Sequence, residues 1–313
     1  MNQTSIPVLV IGFNRPDFIS SLLDRLKECG VTDLYVSLDG PRNESEKSIC
    51  EKTLKAVLSY SSDFHLKVLN RRQNLGCALG VVSALDWFFN EVGFGIVLED
   101  ACVPEDSFFK YITETRLNCP TRNLVISGHN PFMRRSGDEL SKYVLIHGWA
   151  TWASIWKSVR IGYFQTSRPS FRNLQGERRK AREAIFWWAN ASRARLGGVD
   201  TWDSIFAERT WFLGIKTLVP KENLISNVGF GASGTHTRDS NMSNLLMNGG
   251  KFDELTIDQA LFKEYFQIKL RHIVTPFAKV VLDTLDFRKR KEFEKLLLVD
   301  RTTRMEVNSA ESS

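Results

Sequence analysis

Three short apolar runs in the first hundred residues each lead into a charged side chain. Val8-Leu9-Val10-Ile11 leads to Arg15, Val36-Ser37-Leu38 to Asp39, and Ile96-Val97-Leu98 to Glu99-Asp100. An arginine at such a place suits a phosphate, a carboxylate or a base edge. A carboxylate suits ribose hydroxyls or a base N–H, and an acidic pair can hold a divalent ion that bridges two phosphates. If the runs are strands of a parallel sheet, their carboxyl ends share one edge. Ligands of open α/β sheets bind there, and the helix N-termini at that edge favour anions. Arg15, Asp39, Glu99 and Asp100 are therefore expected to line one crevice. The plainer alternative is that they are ordinary turn residues.

Two further places carry chemistry-bearing side chains. His236 follows the Gly- and Ser-rich stretch Gly229–Thr235. Such a loop can close over a ligand and bring a histidine to phosphates or a metal, although a lone loop histidine is otherwise simply solvated. The stretch Gly148–Trp156 is unusually aromatic. Most of it is expected in the core, with Trp149 the aromatic nearest the site. His65, His129 and His147 are expected to be structural. There is no G-x-G-x-x-G after the first apolar run, no P-loop and no H-E-x-x-H, so a dinucleotide site of the usual kind is disfavoured.

The elements that must position these residues alternate in type. Pro7–Ile11, Leu34–Leu38, Phe64–Leu69 and Gly95–Leu98 read as strands. Between them lie helical patterns. The first has Pro16 just inside its start and stops near Gly30, and the second opens on Asn43 with Glu46 three residues on, as in a capping box. The third starts near Asn74 and is closed by Gly93. Strand alternating with helix predicts βαβ units, hence an α/β fold with a mostly parallel sheet. Leu124–Ser127 and Tyr143–Ile146 read as further strands. Residues 157–195 are strongly basic, and the tail from about residue 255 has helical patterns with basic clusters such as Arg288-Lys289-Arg290-Lys291.

Composition narrows the classes. The chain has 313 residues, 42% hydrophobic and 25% charged, which excludes a wholly disordered or collagen-like chain. No uncharged apolar run approaches the roughly 18 residues of a membrane span. The opening residues Met1–Ser5 lack a basic region followed by an apolar core, so a cytoplasmic location is expected. The five cysteines have no C-x-x-C spacing, so neither a disulfide framework nor a cysteine zinc site is expected. The net charge of +6 suits an anionic ligand or surface. No nucleic-acid motif accompanies the basic stretches, so nucleic acid is not an expected partner. The basic, partly apolar tail makes an anionic membrane surface the second candidate, with packing on the main domain or another subunit as the alternative.

Seven motifs then appear in order: Val8–Pro16, Val36–Arg42, Asn74–Cys77, Ile96–Pro104, Gly148–Trp152, Thr201–Asp203, and Ser226–Gly231 with Thr235-His236-Thr237. Over roughly residues 6–240 the chain resembles bacterial nucleotide-sugar glycosyltransferases of the GT-A fold, family-2-like. It is similar, more distantly, to N-acetylglucosaminyltransferase I. The resemblance implies a Rossmann-like sheet flanked by helices and inverting transfer from a nucleotide-diphospho-sugar donor to a saccharide or glycolipid acceptor, in cell-surface polysaccharide or glycan synthesis. It implies that Arg15 and Asp39 contact the nucleotide. From their own positions Glu99, Asp100, Trp149 and His236 are expected to complete the donor site. Residues 1–250 are accordingly expected to form the catalytic domain (1–130 for the donor, 131–250 for the acceptor), and the pattern of 251–313 predicts a helical basic extension with a disordered end.

Asp203 matches the position of that family's catalytic base. Inversion requires the acceptor hydroxyl to lose a proton as it attacks the anomeric carbon, and a carboxylate within hydrogen-bond reach can take it. Read alone, Asp203 is a helix-start cap, and Asp200 is a nearby competitor for the role. The family's acidic motif reads Glu-Asp-Asp, and its last acid usually holds Mn or Mg. Here the run is Glu99-Asp100-Ala101, and Ala101 has no ligand atom. Asp100 could serve the metal instead, basic residues could neutralise the diphosphate, or donor binding has been lost. The last option makes a non-catalytic nucleotide- or glycan-binding protein the competing reading. A sugar nucleotidyltransferase is weaker, because its Gly-rich, basic N-terminal phosphate loop is missing.

Overall fold

The computed structural model describes residues 6–119, 121–132, 136–164, 178–229, 256–259 and 261. They fall into two compact units. The second takes in Leu75–Val82 and the described part of Gly162–Arg209, and the first takes in the remainder. His236 and nearly all of the expected extension 251–313 lie outside the described residues, as does residue range 165–177 of the basic stretch.

The first unit opens with β1 (Val8–Gly12), α1 (Pro16–Glu28), β2 (Asp33–Leu38), a 3₁₀ turn (Glu44–Glu46) running into α2 (Lys47–Leu58), and β3 (His65–Asn70). Helix α3 (Gly76–Glu91) starts in the second unit and ends in the first. Then come β4 (Phe94–Glu99), β5 (Cys102–Pro104), α4 (Asp106–Asn118), β6 (Leu124–Ser127), β7 (Glu139–Ser141), β8 (Trp149–Trp152) and α5 (Ala153–Arg160). The second unit holds α6 (Arg178–Arg195) and the start of α7 (Asp203–Leu213). β9 (Lys216–Val219) and β10 (Ile225–Asn227) return to the first.

Among the described residues eight strands form one mixed sheet in the order β3-β2-β1-β4-β8-β6-β9-β7. β3, β2, β1 and β4 run parallel. β8 is antiparallel to both β4 and β6, β9 is parallel to β6, and β7 closes the edge antiparallel to β9. The fold is therefore α/β, with a mostly parallel mixed sheet flanked by helices. β5 and β10 form a separate antiparallel ribbon.

The parallel half follows from its residues. Val8, Leu9 and Val10 are fully buried, as a strand covered on both faces requires, so the run reads as continuous apolar sequence. α1 buries Ile19, Leu22, Leu23 and Leu26, one stripe at helical spacing, with Pro16 in its first turn. Asn43 accepts from the Glu46 N–H, as a capping residue does. The Glu46 carboxylate reaches the Arg42 N–H instead of the Asn43 N–H, so the reciprocal arm is shifted by one residue. The steps β1 to β2 to β3 move outward in one direction, and right-handed crossovers put α1 and α2 on one face, where they pack together. The step from β3 to β4 returns past β1, which puts α3 on the other face. There Trp87 and Phe88 meet Tyr35 of β2 at ring separations of 5.3 and 5.1 Å.

One expected strand is not one. Tyr143–Ile146 is irregular, and the strand lies six residues later at Trp149–Trp152. The reason lies in the backbone donors. The N–H of Lys142 goes to the Asp258 carboxylate and that of Tyr143 to the Ser141 hydroxyl, so neither joins a ladder. No helix among the described residues is long and apolar enough to cross a membrane. All five cysteines are free.

Candidate functional site

The reversal of strand order falls between β1 and β4, the place where open α/β sheets bind ligands. The residues after the neighbouring strands β2, β1 and β4 gather there. The Asp39 N–H donates to the Gly12 carbonyl at 3.1 Å and the Asp100 N–H to the Ile11 carbonyl at 3.0 Å, so both acids flank the end of β1. Asp39 is half-buried and its carboxylate accepts from the Gly40 N–H at 2.9 Å. The Asn74 side chain donates to the Gly40 carbonyl at 2.8 Å and ties that turn down. Arg15, the residue before α1, reaches across β1 to β4. Its Nε donates to Asp100 at 3.0 Å and its Nη2 to the other oxygen of the same carboxylate. Thus Arg15, Asp39, Glu99 and Asp100 share one rim of the first unit.

The Arg15–Asp100 pair is set deep. The Asp100 side chain is 3% exposed and that of Arg15 24%. Burial pushes the Asp100 carboxyl above its ordinary range, against the opposing pull of the Arg15 charge and hydrogen bonds and of nearby backbone N–H groups. Arg15 Nη1 donates to no group among the described residues. Ala101 is buried beside the pair. The ribbon of β5 and β10 brings the chain back over it: the Val228 N–H donates to the Ala101 carbonyl at 3.0 Å, and a Cβ on Gly229 would stand 2.7 Å from the Ala101 Cβ. With no ligand atom at residue 101 and both oxygens of Asp100 held by Arg15, this arrangement does not fit a divalent ion held by Asp100. The described residues contain no group of three His, Cys, Asp or Glu side chains placed to hold one.

Asp203 belongs to the second unit, where it is the first residue of α7 and exposed. One carboxylate oxygen accepts from the Thr201 hydroxyl, the Ser204 N–H at 2.5 Å and the Ser204 hydroxyl at 3.2 Å. Its other oxygen accepts no hydrogen bond among the described residues. The residue therefore does what a helix-start acid does. Asp200, the competitor, is occupied differently. Its two oxygens accept from the N–H groups of Cys77 and Ala78, each at 2.8 Å, and so cap α3 from 123 and 122 residues away. Gly76 makes this approach possible, since it has φ +77° and a Cβ there would lie 2.5 Å from an Asp200 oxygen.

A buried polar chain fixes the segment before Asp203. Arg195 and Glu208 form a bidentate ion pair, 1% and 3% exposed. Arg195 Nε also donates to the Tyr163 carbonyl at 2.8 Å, and the Tyr163 hydroxyl donates to the Trp202 carbonyl. Neither this chain nor the Asp200 cap has a local sequence signature. Gly76 at the start of a helical pattern is the one cue to a close approach.

Trp149 opens β8 between β4 and β6, is 1% exposed, and is packed as a core residue of the first unit. His129 is also buried there. Its Nδ1 lies 3.2 Å from the Asn223 side-chain oxygen and its ring 5.0 Å from that of His147.

No protein-family model matches the chain, and no curated protein matches it. It is similar in part to solved structures. One is a cytidylyltransferase from Leptospira borgpetersenii, at 12% identity and a TM-score of 0.35, covering 50% of this chain and 64% of that one, just under two thirds of its length. A second is a proposed glucose-1-phosphate thymidylyltransferase from Bacillus anthracis, at 12% identity and 0.31, covering 59% and 82%. A third is HddC from Yersinia pseudotuberculosis, at 11% and 0.32, covering 49% and 79%. The first two carry nucleotidyltransferase names, and none of the three is named a glycosyltransferase. Likeness at this level bears on neither activity nor substrate.

Proposed function

We propose that this chain is a glycosyltransferase that moves a sugar, with inversion, from a nucleotide-diphospho-sugar donor to a saccharide or glycolipid acceptor. The observation that carries the reading is the convergence of Arg15, Asp39, Glu99 and Asp100 at the carboxyl ends of adjacent parallel strands, where the strand order reverses. This is a rim built for a nucleotide: an arginine for phosphate or base, and an aspartate for base N–H or ribose hydroxyls. Asp203 is the base. Its anchored oxygen fixes the carboxylate, and its open oxygen accepts the acceptor hydroxyl proton as that oxygen attacks the anomeric carbon. The bond between the anomeric carbon and the donor phosphate oxygen breaks as the new glycosidic bond forms, and the nucleoside diphosphate leaves with the electron pair. Arg15 supplies positive charge to the leaving nucleoside diphosphate.

The second reading, a binding protein without transfer, is favoured by Ala101. One panel separates the two. Thermal shift with nucleoside diphosphates and nucleotide-sugars, each with and without Mn or Mg, should give a positive shift for one nucleotide class, because ligand binding to the folded state raises apparent stability. Hydrolysis or transfer of the matching donor should then be measured. Asp203→Asn should lower kcat by roughly a hundredfold or more while leaving the nucleotide shift in place. Binding with no turnover supports the second reading, and absence of any shift overturns the transferase reading and leaves only a glycan-binding form of the second.

A further inference from the structure

We infer that Asp100 is a positioning residue that aims Arg15 into the crevice, and not a metal ligand. The inference rests on the donor reading above and assigns the acid of its motif a different task. Three observations carry it. First, Arg15 meets both oxygens of Asp100 in a fork, the geometry that fixes a guanidinium in plane as well as in place. Second, the carboxylate is almost fully buried while Arg15 keeps partial exposure, so the pair presents its cationic side outward. Nη1, which donates to no group among the described residues, lies 3.5 Å from where a Gly229 Cβ would be. Third, residue 101 cannot make up the missing ligand. Ala101 is 5% exposed, and the backbone at Gly229 closes against it, in the space a longer side chain would enter.

A carboxylate held this way cannot turn to a metal without giving up both hydrogen bonds to Arg15. The ion pair thus sets where Arg15 points, as Phe18 also does by lying 5.1 Å under its guanidinium. The group received by Nη1 is an oxygen of the donor's diphosphate.

The test is a double-mutant cycle on nucleotide binding. Calorimetry with UDP, GDP and ADP is run in EDTA and again with Mn, on wild type, Arg15→Met, Asp100→Asn and the double variant. If Asp100 acts through Arg15, each single variant weakens metal-free binding by roughly ten- to a hundredfold and the double variant is no worse than either. The ratio of affinities with and without Mn stays the same in Asp100→Asn as in wild type, and a purely structural role for Asp100 gives no reason for this coupling. Loss of a Mn-dependent gain in Asp100→Asn alone makes Asp100 a metal ligand and overturns the inference while the donor reading stands. Additive effects of the two single variants overturn it in the same way. Binding of none of the three nucleotides by wild type in either condition overturns the donor reading and the inference with it.

Discussion

Single side chains set the geometry here by where they leave room. Gly76 has a left-handed φ of +77°, which costs an L-residue roughly 1 kcal/mol, and an added Cβ would press on the Asp200 carboxylate. Gly76→Ala should therefore strain the turn and also push Asp200 off the N–H groups of Cys77 and Ala78. A lost helix cap costs about 1 kcal/mol, so the combined loss of stability is about 2 kcal/mol by urea unfolding. Asp200→Ala alone should cost about 1 kcal/mol. The double variant should cost less than the sum, because Gly76→Ala has already weakened the cap that Asp200→Ala removes. Additive losses would mean that Gly76 and Asp200 do not act on each other. The Arg15–Asp100 pair is the same kind of fact, a role visible only when two residues 85 positions apart meet.

At the level of elements, α6 and α7 are joined by a buried charge pair. Removing one partner of such a pair leaves an uncompensated charge, which costs about 3–5 kcal/mol, whereas replacing both with apolar residues of similar volume costs far less. Arg195→Met should thus destabilise strongly, and Arg195→Met with Glu208→Leu should recover much of the loss in denaturant titration. Because Arg195 also holds the Tyr163 carbonyl, the double variant should remain slightly worse than wild type. Sequence patterning finds α1 to α3 and β1 to β4, since parallel strands read as unbroken apolar runs and their helices bury regular stripes. It places Arg15, Asp39 and Asp100 at one edge for the same reason. It does not find the short strands β5, β7, β9 or β10, nor α4, α5 or α6. It misplaces the strand at Tyr143–Ile146, because four apolar residues in a row say nothing about where backbone N–H groups go. The partners of Asp100, Asp200 and Glu208 come from elsewhere in the chain, and no local pattern encodes them.

For the molecule as a whole, the buried histidine predicts how the fold answers acid. Burial first, and the neighbouring His147 second, hold His129 down to about 3, against a weaker opposing hydrogen bond to the Asn223 side-chain oxygen. An unfolded histidine titrates near 6.5. The folded pKa is depressed, so below about pH 6.5 the unfolded chain binds a proton that the folded chain refuses, and stability falls as pH drops. The slope is about 1.4 kcal/mol per pH unit from about 6.5 down to about 3, and there is no contribution above 6.5. Between pH 7.5 and 5.0 the loss from this residue is therefore about 2 kcal/mol. Asp100 works in the opposite sense, since a carboxyl raised by burial takes up its proton in the folded state first, and that favours the fold as the solution acidifies. The wild-type slope is a sum over such groups, so the informative quantity is a difference. His129→Gln should flatten the dependence of unfolding free energy on pH over 5.0–7.5 by about 2 kcal/mol relative to wild type, read from urea titrations at matched ionic strength. Equal slopes in the two proteins would show that His129 gains its proton without cost in the fold, which is incompatible with a ring buried between Asn223 and His147.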